Sequence, residues 1–205
     1  MSNYLKRNAQ YWAGTYDAPN VESFIFRFYA RILQFDYGID GSKHERLLDF
    51  GCGQGGALNY FDKLGFNCIG VDIAANDVES ARRSMPHIAE QLVVIDQKPD
   101  ENNIYFGGGF DIVISIQTLD FLSNADFNKA IKSIYNSMKP GAKIYASMNG
   151  YSHYYRNYSD YVGDGLWHIR LKTSRLNYDL FNQFVKDKEE MKEKFALFEP
   201  VYIDH

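Results

Sequence analysis

Between residues 46 and 148 of this chain, short apolar runs alternate with helical patterns. That alternation restricts the fold to a parallel sheet flanked by helices. The runs at 46–50 (RLLDF), 66–73 (FNCIGVDI), 91–96 (QLVVID), 110–116 (FDIVISI) and 142–148 (AKIYASM) read as strands. The fourth is apolar enough to be buried on both faces. A helix is expected over 57–64, stopped by Gly65, and another from a cap at Asn76 or Asp77 to Ser84, ended by Pro86. Ser123 followed by Asp126 resembles a capping box and opens a helix with Phe127, Ala130, Ile131, Ile134, Tyr135 and Met138 on one side, stopped at Lys139-Pro140-Gly141. Upstream, residues 21–35 place Phe24, Ile25, Phe28, Ile32 and Phe35 near one helical face. Beyond Gly150 the pattern loosens; a final helix is expected over 177–195 and a sixth strand at 200–204 (PVYID).

Composition excludes several classes of partner. Lys plus Arg number 22 against 26 Asp plus Glu, and no basic stripe exists to neutralise phosphates, so no nucleic-acid partner is expected. The one dense charge run, 186–194, mixes signs and reads as a solvated helix face. No apolar run approaches the roughly 20 residues that span a bilayer, so no membrane partner is expected. The first residues lack the apolar core of a signal peptide. Cys52 and Cys68 show neither disulfide nor zinc spacing, which implies no metal site and suits a reducing cytoplasm. Length implies one domain over 1–205. Its parts are an N-terminal segment and helix (1–40), a core (46–148) and a final region (149–205). Tyrosines crowd residues 151–178, a composition more typical of a recognition surface than of a core.

The segment Asp49-Phe50-Gly51-Cys52-Gly53-Gln54-Gly55-Gly56 lies between a strand and a helix. Glycines there permit the turn and let a ligand approach the backbone, and the helix behind offers free N–H groups. Gly51, Gly53 and Gly56 satisfy G-x-G-x-x-G, which two nucleotide cofactors could use. Asp49 separates them. A carboxylate there repels a pyrophosphate and favours the ammonium of an amino-acid nucleoside, S-adenosylmethionine (SAM). Asp72, at the end of the second strand, suits the two hydroxyls of a ribose under either reading. Asp96 closes the third strand beside the adenine position. Gln117 follows the fourth, at the floor where a methionine moiety would sit.

These residues resemble a family. Leu47-Leu48-Asp49-Phe50-Gly51-Cys52-Gly53-Gln54-Gly55 resembles motif I of class I SAM-dependent methyltransferases of the small-molecule type, and Gly70-Val71-Asp72-Ile73 its motif II. Phe110-Asp111-Ile112-Val113 and Met138-Lys139-Pro140-Gly141-Ala142 resemble its fourth strand and the turn before its fifth. The resemblance implies an α/β fold: a Rossmann-like, doubly wound, mostly parallel sheet with helices on both faces. It also implies a seventh strand, for which no chain remains, so that strand is expected to be missing or truncated. SAM would lie across the strand ends at Asp49, Gly51, Cys52, Gly53, Gly55, Asp72, Ile73, Asp96 and Gln117, leaving S-adenosylhomocysteine (SAH) as product. Tyr11-Trp12 and Tyr16 resemble a cover segment, with Tyr16 toward the cofactor and Tyr11 toward the acceptor.

The acceptor side would be built from the N-terminal segment and the region after the fifth strand. His153 and His168 are the candidate bases, since histidine titrates nearest neutral pH. Tyr155, Arg156 and Arg170, with Arg175, are candidates for holding a polar or anionic acceptor. The expected reaction is methyl transfer to oxygen of a small sugar or phosphorylated metabolite, with bacterial surface-glycan precursors as one setting. Two alternatives stand beside it. One is an NAD(P)-dependent oxidoreductase using the same loop. The other is a non-catalytic methyltransferase-like partner subunit. Oligomeric state is not legible.

Overall fold

Leu47 and Leu48 are adjacent in one strand, point to opposite faces and are both fully buried. A core on both sides of the sheet follows. The computed structural model describes residues 3–12, 21, 23–95, 98–173 and 177–204. Five strands, β1 (Arg46–Phe50), β2 (Asn67–Asp72), β3 (Leu92–Val94), β4 (Phe110–Ile116) and β5 (Met138–Ser147), form one sheet in the order β3-β2-β1-β4-β5. Every pairing in it is parallel.

The helices that flank it are α1 (Asn3–Trp12), α2 (Ser23–Arg27), α3 (Gly56–Lys63), α4 (Ala75–Ser84) and α5 (Asn124–Ser137). Ile25 of α2, Leu58 and Phe61 of α3, and Val78 and Ala81 of α4 pack with Leu47, Cys68, Ile112 and Ile114. Phe127, Ala130, Ile131 and Ile134 of α5 pack with Leu48, Ile69, Val71 and Val113 on the other face, joined by Leu5 of α1. Each fully buried aliphatic or Phe side chain contributes about 1.5–3 kcal/mol relative to exposure. The Ser123 hydroxyl caps α5 by accepting from the Asp126 N–H at 3.3 Å.

A second sheet follows: β6 (Ser159–Gly163), β7 (Leu166–Lys172) and β8 (Asn177–Asn182), antiparallel in the order β6-β7-β8. A short helix α6 (Lys188–Lys194) follows as the last described helix, capped by the Asp187 carboxylate, which accepts from the Glu190 N–H at 2.9 Å.

The structure departs from the sequence expectations in four places. The helix expected over 177–195 is strand β8 followed, after a break, by α6; Leu180 and Asn182 are buried while Asn177 and Asp179 face outward, a period of two. The strand expected at 200–204 pairs with no described strand, and Val201 and Tyr202 point to solvent. The helix expected over 21–35 is α2 running into a π-helix at Phe28–Asp36. Ile25, Phe28, Tyr29 and Leu33 are the buried residues of this stretch, and Phe35 points outward, 85% exposed. Finally, α4 starts at Ala75, so Asn76 and Asp77 fall inside its first turn instead of capping it.

Helix α1, which the sequence reading left unassigned, is docked by Asn8. The Asn8 amide donates to Phe121 O at 3.1 Å and to Phe181 O at 2.9 Å, and its Oδ1 accepts from the Phe181 N–H at 2.8 Å. It therefore pairs with one residue of strand β8 as a neighbouring strand would. Tyr4 adds a hydroxyl bond to Asp126, and Arg7 an ion pair with Asp179. Removing the buried amide strands three backbone groups. Asn8→Ala is expected to lower stability by about 2–4 kcal/mol in urea unfolding. A change under about 0.5 kcal/mol would contradict this docking.

Candidate functional site

The direction of chain progression reverses at β1: β2 and β3 lie on one side, β4 and β5 on the other. Open parallel sheets form their ligand crevice at such a point, outside the carboxyl ends of the strands. Here a crevice of about 960 Å³ opens there. It runs from Ile95 and the 98–105 loop, past Asp72 and Ile73, past Asp49 to Ala57, to Ile116, Gln117 and Thr118. Leu5 and Asn8 of α1, Ile25 of α2, and Phe121 and Leu122 complete its walls.

The loop after β1 is shaped by two glycines in particular. Gly51 has φ +88°, and a Cβ on it would lie 2.1 Å from the Thr118 hydroxyl oxygen. Gly53 has φ +50°, with open space where its Cβ would be, so that any side chain there would project into room a ligand needs. The Gly51 and Cys52 N–H groups both donate to Val71 O, at 2.8 and 3.0 Å, which holds the loop against β2.

Asp72 links that loop to α4. One carboxylate oxygen accepts from the Gly53 N–H at 2.8 Å and the other from the Ala74 N–H at 2.8 Å. Burial raises its pKa, and these two bonds oppose the rise. Each oxygen keeps a lone pair for a further donor.

Asp49 is different. It is 3% exposed, and no described group donates a hydrogen bond to its carboxylate. Burial, and then the charge on Asp72, push its pKa up to about 8. Asp77 also lines the crevice, with Oδ1 accepting from Gln54 Nε2 at 3.1 Å, and burial raises its pKa too. With Asp100, four carboxylates line this space, against the single ammonium of Lys98 among its described lining residues. The arrangement suits a cationic ligand and disfavours a diphosphate.

Gln117 sits in left-handed backbone, φ +47°, unusual for a residue with a side chain. Its N–H donates to the Ser147 carbonyl and hydroxyl at 3.1 and 3.0 Å, so the turn is held to the end of β5.

Of the residues singled out from sequence, Asp49, Gly51, Cys52, Gly53, Asp72, Ile73 and Gln117 are brought together on the crevice walls. Gly55 stands just behind, at φ +82° before α3. Tyr16, Asp96 and Arg175 lie outside the described residues. Tyr11 falls in α1, with its side chain outside what is described.

The acceptor-side residues are not brought there. His168 Nε2 bonds Asp179 Oδ1 at 2.7 Å and stacks on Phe181. His153 accepts from the Tyr155 N–H at 3.3 Å, and burial lowers its pKa. Tyr155 donates to the Tyr178 hydroxyl at 2.8 Å. The Arg156 guanidinium lies 3.3 Å from the Trp167 ring centroid, and Arg170 pairs with Asp160. All five belong to the small sheet or the turn before it, and none lines the crevice.

Sequence reasoning passed over Asn8, Gln54, Thr118, Phe121 and Leu122 as site residues and noted Asp77 only as a cap. One signal was available: Asn8 sits three residues after Leu5 on the apolar stripe of α1, where a polar side chain needs a reason.

The sequence pattern of the methyltransferase domain family matches residues 20–184. A ubiquinone biosynthesis O-methyltransferase of Chelativorans sp. (strain BNC1) is 29% identical over 104 residues, covering 50% of this chain and 39% of that protein. A norajmaline N-methyltransferase of Rauvolfia serpentina is 29% identical over 110 residues, covering 53% of this chain and 37% of that one. The chain thus spans about two fifths of the length of these curated relatives. The crystal structure of a SAM-dependent methyltransferase from Methanosarcina mazei superposes with TM-score 0.61 at 16% identity, covering 86% of this chain and 84% of that one.

The buried Asp49 carboxyl makes stability depend on pH. Its folded pKa, about 8, lies above the ordinary 3.8. Its contribution is therefore fully present below about pH 3.8, declines as pH rises, and is lost above about pH 8. Asp49→Asn is expected to flatten that decline and to stabilise the ligand-free protein at pH 8.5 by about 1–3 kcal/mol. Thermal melts from pH 6 to 8.5 check this. A variant less stable than wild type at pH 8.5 would contradict it.

Proposed function

This chain belongs to the methyltransferase domain family, the class I SAM-dependent methyltransferases, and from that premise we propose that its crevice binds SAM and directs a methyl group to a small-molecule acceptor. The observation that carries the reading is Asp49: a carboxylate buried beside a glycine bend, with no hydrogen-bond donor among the described residues. An ammonium group would supply both the missing donors and the missing charge. A dinucleotide diphosphate would add negative charge to the same place, which is what disfavours the oxidoreductase reading.

The residues present fit the cofactor. Asp72 would accept the ribose hydroxyls with its remaining lone pairs, Asp49 would face the ammonium, and the open side of Gly53 leaves room for backbone approach. Bound SAM would supply a methyl group on a positively charged sulfur, an electrophile that needs alignment more than activation. The chain's part is to hold and orient. Asp72 fixes the loop and α4 together, so the two ends of the binding surface move as one piece. Gln117 is locked by Ser147 at the floor.

The acceptor would lie toward the β4 end. The walls there are Leu5, Ile25, Ile116, Phe121 and Leu122, with Asn8, Gln117 and Thr118 as neutral polar groups. This favours an acceptor with an apolar body, oriented by a few hydrogen bonds. The sugar or phosphorylated acceptor expected from sequence rested on Arg156, Arg170, Arg175 and the nearby tyrosines, of which Tyr155, Arg156 and Arg170 are engaged within the small sheet or the turn before it. Oxygen and nitrogen acceptors, as named for the two curated relatives, are both compatible with these walls. No described helix is long and apolar enough to cross a membrane, and Cys52 and Cys68 are unpaired buried thiols. A cytoplasmic setting remains part of the proposal.

Calorimetric titration tests the cofactor. SAM and SAH are expected to bind one to one and NADH not to bind. SAM affinity should rise by up to about tenfold per pH unit below pH 8, because a cation prefers ionised Asp49. Asp72→Ala should weaken SAM by at least about thirtyfold, the loss of two hydrogen bonds to a charged acceptor, with the fold retained. Tight NADH binding without a response to SAM would overturn the reading.

A further inference from the structure

Once Asp49 faces an ammonium and Asp72 a ribose, Asp77 is a carboxylate without a task. A carboxylate in the first turn of α4 complements the helix dipole, but it can do so from an exposed position. Asp77 is instead 7% exposed and lines the crevice. Gln54, from the loop between Gly53 and Gly55, donates to its Oδ1 at 3.1 Å and sets its orientation. The group is also close enough to Asp72 that its charge helps raise the Asp72 pKa. Burying a third carboxylate among two others costs stability. The hydrogen bond from Gln54 offsets only part of that cost. The placement makes physical sense if the crevice is built to be more negative than ribose and ammonium recognition alone require.

We propose that Asp77, oriented by Gln54, is a specificity residue whose negative charge makes the crevice prefer SAM over its product SAH. The inference rests on the cofactor reading above. The two ligands share the adenine, the ribose, the ammonium and the carboxylate. They differ in one methyl group and in one positive charge on sulfur. Hydrogen bonds to the shared parts cannot tell them apart, whereas an unneutralised carboxylate in a partly dry crevice can, because a charge–charge interaction there is weakly screened. Selectivity of this kind lets the product leave while the charged reactant stays. It acts through the potential in the crevice, so Asp77 need not touch the reacting atoms.

The test is the ratio of SAH to SAM dissociation constants by calorimetry at pH 8.5 and low salt, on the whole chain. The wild type is expected to favour SAM. Asp77→Asn keeps the shape and the acceptor for Gln54. It should shrink that preference by about three- to tenfold, through weaker SAM binding with SAH nearly unchanged. Asp77→Glu, which restores the charge, should recover part of the preference. A purely structural role would weaken both ligands alike, and that outcome, or an unchanged ratio, would overturn this inference alone. Failure of both ligands to bind the wild type would overturn the cofactor reading and this inference with it. Melting temperatures of the ligand-free variants confirm that each is folded.

Discussion

A carboxylate with little access to water and no hydrogen-bond donor is unstable as an anion, and Asp49, 3% exposed with no donor among the described residues, is such a group. It occupies the last-but-one position of the central strand, where Leu48 and Phe50 on either side are buried in the opposite core layer. The strand cannot shift to expose it without losing those contacts. The carboxyl is therefore held in place by packing, and it becomes a negative charge in the crevice above about pH 8 or once a bound cation draws off its proton. Asp72 and Asp77 add to it from the next strand and helix, each steadied by a different neighbour. Recognition in this account is a property of where the sheet puts its strand ends.

The two sheets divide the labour. The parallel sheet supplies the crevice through the ends of β1, β2 and β4. The antiparallel sheet holds α1 over that crevice: Asn8 pairs with the backbone of Phe181, and Asp179 receives both Arg7 and His168. Asp120 and Gln183 join the two. The Gln183 N–H donates to Asp120 O at 2.6 Å, and its side-chain amide donates to Leu122 O at 2.6 Å. Asp120 itself is fully buried, with its pKa pushed up to about 7 chiefly by that burial. His153, Arg156, His168 and Arg170 thus spend their hydrogen bonds and stacking within the small sheet and the turn before it, which together form the dock.

The central sheet was legible in sequence because β1, β2 and β4, buried on both faces, read as largely apolar runs, and the turns between them carry glycine, proline or a cap. The loop from Asp49 to Gly56 was legible because its chemistry is local: glycines where the backbone turns left-handed, and an acid just ahead. The small sheet was less so. The stretch Asn177–Asn182 alternates polar and apolar residues, yet the charged run that follows suggested one long helix and hid the period of two. Gly163-Asp164-Gly165 turns the β6–β7 hairpin, a glycine signal that the sequence reading of this region did not use. Asn8 and Asp77 were hidden for another reason. The role of Asn8 depends on strands more than a hundred residues away, with only its place on the apolar stripe of α1 as a local hint, and that of Asp77 depends on a loop side chain and leaves no local pattern.

The most direct measurement is the titration of Asp49 itself, by carbon-13 NMR of its carboxyl group with and without SAM. The account predicts a midpoint near pH 8 in the free protein and an ionised carboxylate throughout the neutral range once SAM is bound. A midpoint near the ordinary carboxylate value in the free protein, or a high midpoint that SAM leaves unmoved, would contradict it.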